Sequence, residues 1–225
     1  MKNTGRPRYR PCLPCWRRWP TCRWLALISA DGWLATGDLG WIDAEGRLNL
    51  SGRSKDLIIR SGHNIDPKVI EDALGAHPAV QLCAAIGAPD AYAGELPVIF
   101  AQLAPGATAS EEELLAFTCA RVDEAPARPR SVVIIESMPM TNVGKIYKPA
   151  LRSLAACRVA QALVDEACAA LGLTGAQRPQ VRADGDNALK VVIDAAAAGP
   201  LAAQLQTRLQ QVLEPLPVKA RVTFL

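Results

Sequence analysis

From residue 131 the chain reads Ser131-Val132-Val133-Ile134-Ile135-Glu136-Ser137-Met138-Pro139-Met140-Thr141-Asn142-Val143-Gly144-Lys145-Ile146-Tyr147-Lys148. It begins with a β-branched run, which predicts a buried strand. Pro139 and Gly144 mark a polar turn after that strand, so we expect Lys145 to lie at its tip. A lysine ammonium has three donors on a flexible stem and can contact a carboxylate and a phosphate together. A solvated surface lysine is the alternative interpretation.

Composition and charge narrow the classes of protein to which the chain can belong. Its 225 residues suffice for one or two compact domains, and no apolar run is long enough to span a bilayer, so we expect a soluble protein without a transmembrane segment. The net charge is +3, but the first 24 residues hold seven Lys and Arg and no acid, which leaves −4 on the other 201. We therefore predict no nucleic-acid binding by the folded part.

Seven cysteines occur, and they fall into two groups. Those at 83, 119, 157 and 168 stand singly inside apolar patterns, which predicts buried free thiols and a cytoplasmic location. Those at 12, 15 and 22 suggest zinc, but no second pair of cysteines or histidines follows at finger-like spacing. We therefore predict no metal site.

The first 30 residues differ from the rest because basic, cysteine, tryptophan and proline residues crowd together without periodicity. Disorder, or an artefact of the start site or reading frame, is the prediction for this segment. A basic arm that binds RNA is the alternative. The remaining chain divides by pattern into residues 31–52, 53–152 and 153–225.

Periodicity and turn residues predict an α+β fold. Residues 46–51 and 57–59 are typical of short strands, and residues 79–87 and 96–103 of longer ones separated by Pro89, Asp90 and Gly94. Ser110 and Glu113 form a capping box for a second helix. The first helix is capped by Asp66, has Pro67 in its first turn and ends at Gly75, with one apolar face formed by Val69, Ile70, Ala73 and Leu74.

The last 73 residues predict a small α-β-β-α-β tail subdomain. A helix over residues 151–171 ends at Gly172, and residues 180–194 form a hairpin that turns near Asp184 and Gly185. A second helix has an apolar face from Leu201 to Leu213, and an alternating strand follows from Val218. No catalytic constellation is expected in this tail.

Three short motifs carry most of the chemical information. Trp33-Leu34-Ala35-Thr36-Gly37-Asp38 places a carboxylate beside a glycine, where its two oxygens can accept protons from the vicinal hydroxyls of a ribose. Gly52-Arg53-Ser54-Lys55-Asp56 offers an arginine that can serve a phosphate or ribose, or simply pair with Asp56. Ser61-Gly62-His63 is a glycine-containing loop with one of the two histidines of the chain.

In this order, and with the Lys145 turn, the motifs resemble the carboxyl-terminal part of the adenylate-forming superfamily, which includes acyl-CoA synthetases, adenylation domains of nonribosomal synthetases and beetle luciferases. The resemblance runs from about Asp31 to Arg152. The segments from Arg53 to Glu71 and from Gly144 to Arg152 look most like those of bacterial acyl-CoA synthetases of the fatty-acid type. The implied fold is the small carboxyl-terminal lid domain, which contains a short hairpin and a mixed sheet with helices.

The resemblance also implies roles for single residues. Asp38 would hold the ribose hydroxyls of ATP or of the acyl-adenylate, and Arg53 would lie close to the same ribose and the phosphates. Lys55 would be the hinge of the lid. Ser61, Gly62 and His63 would line the tunnel for the pantetheine arm of CoA, and we prefer this role for His63 over that of a general base. Lys145 would be the catalytic lysine of the first half-reaction.

ATP or AMP, CoA and Mg²⁺ are the implied cofactors of the intact enzyme, and a fatty acid is its implied substrate. The large domain that would hold the phosphate loop and acyl pocket is expected to be missing from this chain, so we predict that the chain alone neither binds ATP tightly nor makes acyl-adenylate. Residues 31–52 would be the remnant of that domain. Two alternatives stay open: an adenylation domain that loads a carrier protein, and a non-catalytic domain that binds a partner supplying the large domain.

Overall fold

The computed structural model describes residue 29 and residues 32–173, 178–184, 188–193 and 201–224. The chain divides into two compact units, and the division falls between Leu57 and Ile58 in the sequence. The cysteines at 12, 15 and 22 and the segment predicted to be atypical lie outside the described residues, apart from Ser29.

The first unit contains an antiparallel hairpin of β1 (Asp38–Ile42) and β2 (Leu48–Arg53). A short 3₁₀-helix, Ser54–Asp56, follows the second strand. Strand β2 starts and ends two residues later than the sequence pattern predicts, and β1 carries the aspartate of the first motif at its start.

The second unit begins with a five-stranded mixed sheet. Its strands are β3 (Ile58–Arg60), β4 (His63–Ile65), β5 (Val80–Asp90), β6 (Gly94–Leu103) and β7 (Ser131–Ile134). The order is β4-β3-β6-β5, and β7 pairs with β6 in parallel while the other pairs are antiparallel. The α+β prediction is therefore confirmed.

Helices cover both faces of this sheet. On one face lie α1 (Pro67–Gly75) and α2 (Glu111–Cys119), whose Ile70, Leu74 and Leu114 pack with Ile99 and other buried residues. On the other face the first half of α3 (Lys148–Ala170) packs Leu151 and Ala155 against strand residues. The sheet is thus the middle of three layers.

The predicted helix starts are confirmed in the structure. The Asp66 side chain accepts a hydrogen bond from the Lys68 N–H, and the Ser110 hydroxyl accepts one from the Glu113 N–H. These bonds satisfy N–H groups that have no partner within a first helical turn. Val69 was wrongly assigned to the apolar face of α1, because it is exposed while Ile70 and Leu74 are buried.

Strand β5 was predicted too short. It continues through Pro89 to Asp90, where the sequence suggested a break. Proline removes one N–H from a ladder, and that loss is tolerated at the edge of a sheet. Because β5 is the edge strand, Pro89 costs the sheet no inter-strand bond.

The tail has the predicted α-β-β-α-β order. It uses the second half of α3, the strands β8 (Gln180–Ala183), β9 (Ala188–Ile193) and β10 (Lys219–Phe224), and helix α4 (Ala202–Leu213). The sheet order is β10-β9-β8, and its inner face packs with Ala160, Val164, Leu205 and Leu209. The expected turn residue Gly185 lies outside the described residues, whereas Asp184 donates its N–H to the Ala188 carbonyl.

We call the domain built around the five-stranded sheet the lid. One helix joins the lid to the tail without interruption. Leu151 and Ala155 of α3 belong to the core of the first sheet, and Ala160, Val164 and Cys168 belong to the core of the tail. The predicted boundary between residues 152 and 153 therefore lies within a continuous helix. No helix among the described residues has the length and apolar character needed to cross a membrane.

The cysteines at 83, 119, 157 and 168 are free thiols, as predicted. Only Cys168 is fully buried, and the other three are partly exposed. The prediction of complete burial was thus wrong for three of the four.

Candidate functional site

Lys145 lies in a closed turn between Met140 and Ile146, which form an antiparallel bridge. Thr141 closes this turn three times: its N–H donates to the Lys145 carbonyl at 2.7 Å, its carbonyl accepts from the Gly144 N–H at 2.9 Å, and its hydroxyl accepts from the Lys145 N–H at 3.1 Å. Gly144 has φ 73°, a left-handed conformation that glycine adopts without steric cost. The backbone of Lys145 is therefore fixed by local bonds.

The side chain of Lys145 is exposed at the tip of this turn. Among the residues that the structure describes, no carboxylate lies within ion-pair distance of its ammonium. The nearby side chains of Met140, Val143 and Tyr147 are apolar or aromatic and also exposed. The turn thus combines an exposed positive charge with exposed apolar and aromatic side chains.

An ion pair anchors the chain directly after this turn. Lys148, in the first turn of α3, donates from Nζ to Glu71 Oε1 of α1 at 2.7 Å, and both side chains are mostly buried. The same oxygen accepts a hydrogen bond from the Ala85 N–H of β5 at 2.9 Å. Glu71 therefore ties together a helix, a strand and the segment that carries Lys145. We did not predict this pair, although both residues stand within the motifs that carry the resemblance.

Cys83 lies beside this anchor and donates its thiol to the Glu71 carbonyl at 3.3 Å. The pKa of the Cys83 thiol is raised to about 11, chiefly by burial and also by the neighbouring carboxylates of Glu71 and Asp72, which outweigh the opposite effect of Lys148. A thiol that stays protonated at neutral pH is a poor nucleophile. Cys83 is therefore a structural residue.

Asp38 and Arg53 form a cross-strand pair in the β1–β2 hairpin. The Arg53 Nε donates to Asp38 Oδ1 at 3.2 Å, so the arginine pairs with Asp38 and not with Asp56, which was the alternative. Gly37, at φ 79°, turns the chain into β1, and its carbonyl accepts from the Ser54 N–H at 2.8 Å. Both side chains stay partly exposed, at 36% for Asp38 and 57% for Arg53, and can contact a ligand.

Ser61 and Gly62 form the two-residue turn between β3 and β4. Their φ angles are 47° and 83°, the left-handed pair that a type I′ hairpin turn requires. Ser61 also donates its N–H to the Ala93 carbonyl at 2.8 Å, and His63 is exposed at the start of the edge strand β4. This turn therefore presents a rigid backbone and one imidazole to its surroundings.

The predicted site residues fall on separate elements. Asp38 and Arg53 are brought together, Ser61 to His63 form one turn, and Lys55 lies in the 3₁₀-helix that precedes the boundary between the units. In the described part of the chain, no hydrogen bond or ion pair joins the Lys145 turn to the Ser61 turn. No group of three potential metal ligands occurs among those same residues.

Comparison with known proteins places this chain in a family. Residues 69–145 match the AMP-binding enzyme C-terminal domain. Over 218 residues the chain is 39% identical to the marinolic acid–CoA ligase of Pseudoalteromonas sp. (strain SANK 73390), an alignment that covers 97% of this chain and 31% of that ligase. The chain belongs to the adenylate-forming superfamily. Its homologues in that superfamily are acyl-CoA ligases.

Two further members show how much of a family protein this chain represents. The long-chain-fatty-acid–CoA ligase of Bacillus subtilis (strain 168) is 43% identical over 124 residues, which are 55% of this chain and 22% of that ligase. ATP-bound MatB from Rhodopseudomonas palustris is similar in structure, with a TM-score of 0.55 and 33% identity over 59% of this chain and 26% of MatB. The chain spans less than a third of each of these relatives.

The alignments also differ in how much of the tail they include. The 218-residue alignment leaves at most seven residues of the 225 outside, so it takes in nearly all of the tail. The 124-residue alignment is too short to include both the whole lid and the whole tail. The tail thus has a counterpart in the marinolic acid–CoA ligase.

Proposed function

We propose that this chain acts as the lid of an AMP-forming acyl-CoA ligase. Such an enzyme joins a carboxylate to ATP with release of pyrophosphate, and then transfers the acyl group to the sulfur of CoA with release of AMP. One observation carries the proposal: the ammonium of Lys145 is exposed on a turn whose backbone is fixed by three hydrogen bonds. A fixed, available cation suits the first step of this reaction.

The chemistry of that step requires a positive charge between two anions. When a carboxylate attacks the α-phosphate of ATP, negative charge accumulates on oxygens of both partners. An ammonium that contacts both stabilises the transition state electrostatically, and more strongly when water is excluded. The exposed apolar side chains of Met140, Val143 and Tyr147 would exclude water if the turn closed over a nucleotide. Loss of one such contact costs about 3 kcal/mol, or roughly 100-fold in rate.

Asp38 and Arg53 would hold the ribose and phosphate region of the nucleotide. Arg53 donates a hydrogen bond to Asp38 Oδ1, and the second carboxylate oxygen of Asp38 remains able to accept one from a ribose hydroxyl. The guanidinium fixes the orientation of the carboxylate and retains further N–H donors for a phosphate oxygen. We place no Mg²⁺ on the described residues, because they offer no cluster of suitable ligands.

The two half-reactions require different surfaces at the same place, because CoA must enter where the lysine stood. We assign the hinge to Lys55, in a single turn of 3₁₀-helix that ends one residue before the boundary between the two units. Short 3₁₀ segments have weak hydrogen-bond geometry and are suited to hinges. The Ser61-Gly62-His63 turn would then line the path of the pantetheine arm.

We further propose a fatty acid as substrate and the cytoplasm as location. The similarity to the long-chain-fatty-acid–CoA ligase of B. subtilis supports the first, and the four free thiols support the second. Because the chain spans less than a third of the ligases that it matches, we expect the chain alone to show no ATP–pyrophosphate exchange above a Lys145→Ala control.

A chimera tests the proposal. Residues 58–225 of this chain would replace the matching carboxyl-terminal part of the B. subtilis ligase, and exchange of labelled pyrophosphate into ATP would be measured with a long-chain fatty acid. We expect exchange in the chimera and a loss of about 100-fold in its Lys145→Ala variant. Lys68→Ala, which removes another exposed lysine of the lid, is the matched control and should retain activity. Equal exchange in both variants would refute the role of Lys145.

A further inference from the structure

The outer face of the tail sheet carries a row of cations. Arg182 of β8 pairs in register with Lys190 of β9, and Lys190 pairs in register with Arg221 of β10. Side chains at paired positions point to the same side of a sheet. Since Leu189 and Val191 of the same strand are buried in the tail core, the row faces the opposite way, and all three cations are exposed.

A fourth cation extends this row into a patch. Lys219 lies two residues before Arg221 on β10 and is also exposed, with Ala188 as its cross-strand partner. In the described part of the tail, no carboxylate forms an ion pair with any of the four. Arg182 donates to the amide oxygen of Gln180 at 3.3 Å. Asp184, two residues after Arg182, is exposed as well and forms no ion pair with the four cations among the described residues. Within the described part of the tail, the patch therefore carries an excess of positive charge.

This arrangement weakens the sheet that contains it. Like charges directly opposite each other across strands are destabilising. Three in one row produce two such contacts, and both involve Lys190. The described contacts of the tail show no structural reason for the arrangement, and the proposed lid chemistry does not use the tail. A partner that supplies negative charge would remove the repulsion.

We propose that this face of the tail docks an acidic helix of a partner protein. Neighbouring strands lie about 4.8 Å apart, so the row of Arg182, Lys190 and Arg221 spans roughly 10 Å. Carboxylates at positions i, i+4 and i+7 of a helix are about 5–6 Å apart and span about 10 Å along its axis. A helix lying across the strands therefore matches the row with one carboxylate for each cation.

Other anionic partners fit this face less well. Proteins that bind single-stranded nucleic acid stack bases on aromatic side chains, and the outer positions of these strands hold only Ala188, Val192, Thr223 and polar or charged residues. Cations bind an anionic membrane most strongly when large apolar side chains beside them enter the lipid, and this face lacks such side chains at its described positions. The small neighbours instead leave a flat surface on which a helix can rest.

Fluorescence anisotropy with the full chain tests the proposal. The probe is a labelled, alanine-rich helical peptide with glutamates along one face, and its control has the same composition with the glutamates spread around the helix. We expect the first peptide to bind more tightly, and its affinity to fall as salt rises. Charge reversal of the row should weaken binding at least about eightfold, the product of three exposed pairs that contribute roughly twofold each. The reversed residues are Arg182→Glu, Lys190→Glu and Arg221→Glu.

A matched variant changes the net charge equally on other surfaces of the lid and tail, and it should bind within twofold of the original chain. Its changes are Arg130→Glu, Arg158→Glu and Arg208→Glu. If the reversal variant fails to fold, the same three residues are replaced by glutamine. This variant loses both the positive charge and the cross-strand repulsion, so it should fold and still bind the acidic peptide more weakly. The proposal would be overturned if the row variant bound the acidic peptide as tightly as the original chain, or if the control peptide bound as tightly as the acidic peptide. Tighter binding of single-stranded RNA or of phosphatidylserine vesicles than of the acidic peptide would also overturn it.

Discussion

Removing the Glu71 carboxylate should destabilise the lid by an amount that depends on which contact is lost. Glu71 Oε1 accepts from both Lys148 Nζ, at 2.7 Å, and the Ala85 N–H, at 2.9 Å. The Glu71 side chain is 24% exposed and that of Lys148 20%, so the pair lies between a surface ion pair and a buried one. Glu71→Ala loses both contacts, whereas Glu71→Gln keeps an amide oxygen for the Ala85 N–H.

The magnitudes follow from these two contacts. A charge-assisted hydrogen bond contributes about 1.5–3 kcal/mol, and we take about 1.5 kcal/mol because the pair retains some contact with water. Ala85 is fully buried, and an orphaned N–H there costs about 1–3 kcal/mol. We therefore expect losses in unfolding free energy of about 3.5 kcal/mol for Glu71→Ala and about 1.5 kcal/mol for Glu71→Gln. Lys148→Met should cost only about 1 kcal/mol, because a cation in the first turn of a helix opposes the helix dipole.

Urea denaturation followed by circular dichroism measures these free energies, and hydrogen exchange of the Ala85 amide reports the second contact separately. We expect faster exchange at Ala85 in Glu71→Ala than in Glu71→Gln. The double variant Glu71→Gln with Lys148→Met should be about as stable as Glu71→Gln alone, because the pair is lost only once. Equal losses for the alanine and glutamine variants, or a loss below about 1 kcal/mol for Glu71→Ala, would refute this account of the anchor.

Three further variants or conditions test other parts of the structure. Ser61→Val should be roughly 1–2 kcal/mol less stable than Ser61→Asn by thermal unfolding, because Ser61 has φ 47° and β-branched residues resist that conformation while asparagine accepts it. Equal stability of the two variants would contradict the left-handed backbone conformation of Ser61. The pKa of Cys83 is raised to about 11, chiefly by burial, so its thiol stays protonated at neutral pH. The rate of its alkylation by iodoacetamide, mapped by mass spectrometry, should therefore keep rising from pH 9 to pH 11. A rate that levels off by pH 9 would contradict the raised pKa. Lys190→Glu should stabilise the tail by about 1 kcal/mol, because it replaces two cross-strand repulsions with attractions. Lys219→Glu, opposite Ala188, should change the unfolding free energy little. The same gain for both variants would show that position in the row is irrelevant.

Local chemistry explains which features the sequence could predict. Asp66, Pro67 and Ser110 are helix-start residues whose effect depends on their immediate neighbours, and both helix starts are confirmed. Gly144 followed by an exposed lysine is likewise a local pattern, and the turn lies where it was predicted. These features need no knowledge of distant parts of the chain.

Features that depend on distant residues could not be predicted in this way. Pro89 is tolerated within β5 only because that strand is at the edge of the sheet, and strand order is not visible in a local pattern. The partner of Arg53 is Asp38, fifteen positions earlier, because the register of the hairpin places them opposite each other. The Glu71–Lys148 pair joins residues 77 positions apart and depends on how α1 and α3 pack around β5.

The boundary between lid and tail shows a different difficulty. The motif that carries the resemblance ends at Arg152, and the sequence therefore predicts a boundary after that residue. Helix α3 has apolar residues on both sides of that point, but they pack into two different cores. A helix that contributes to two cores has no break in its sequence pattern, so the periodicity alone could not show where the lid ends and the tail begins.

Lys145 is proposed to serve the first half-reaction and not the second. The most direct test measures both half-reactions in the chimera with the B. subtilis ligase: acyl-adenylate formation from acid and ATP, and thioester formation from supplied acyl-adenylate and CoA. We predict that Lys145→Ala lowers the first rate by about 100-fold and changes the second by less than about threefold. An equal fall in both rates, or an unchanged rate of adenylate formation, would contradict the account.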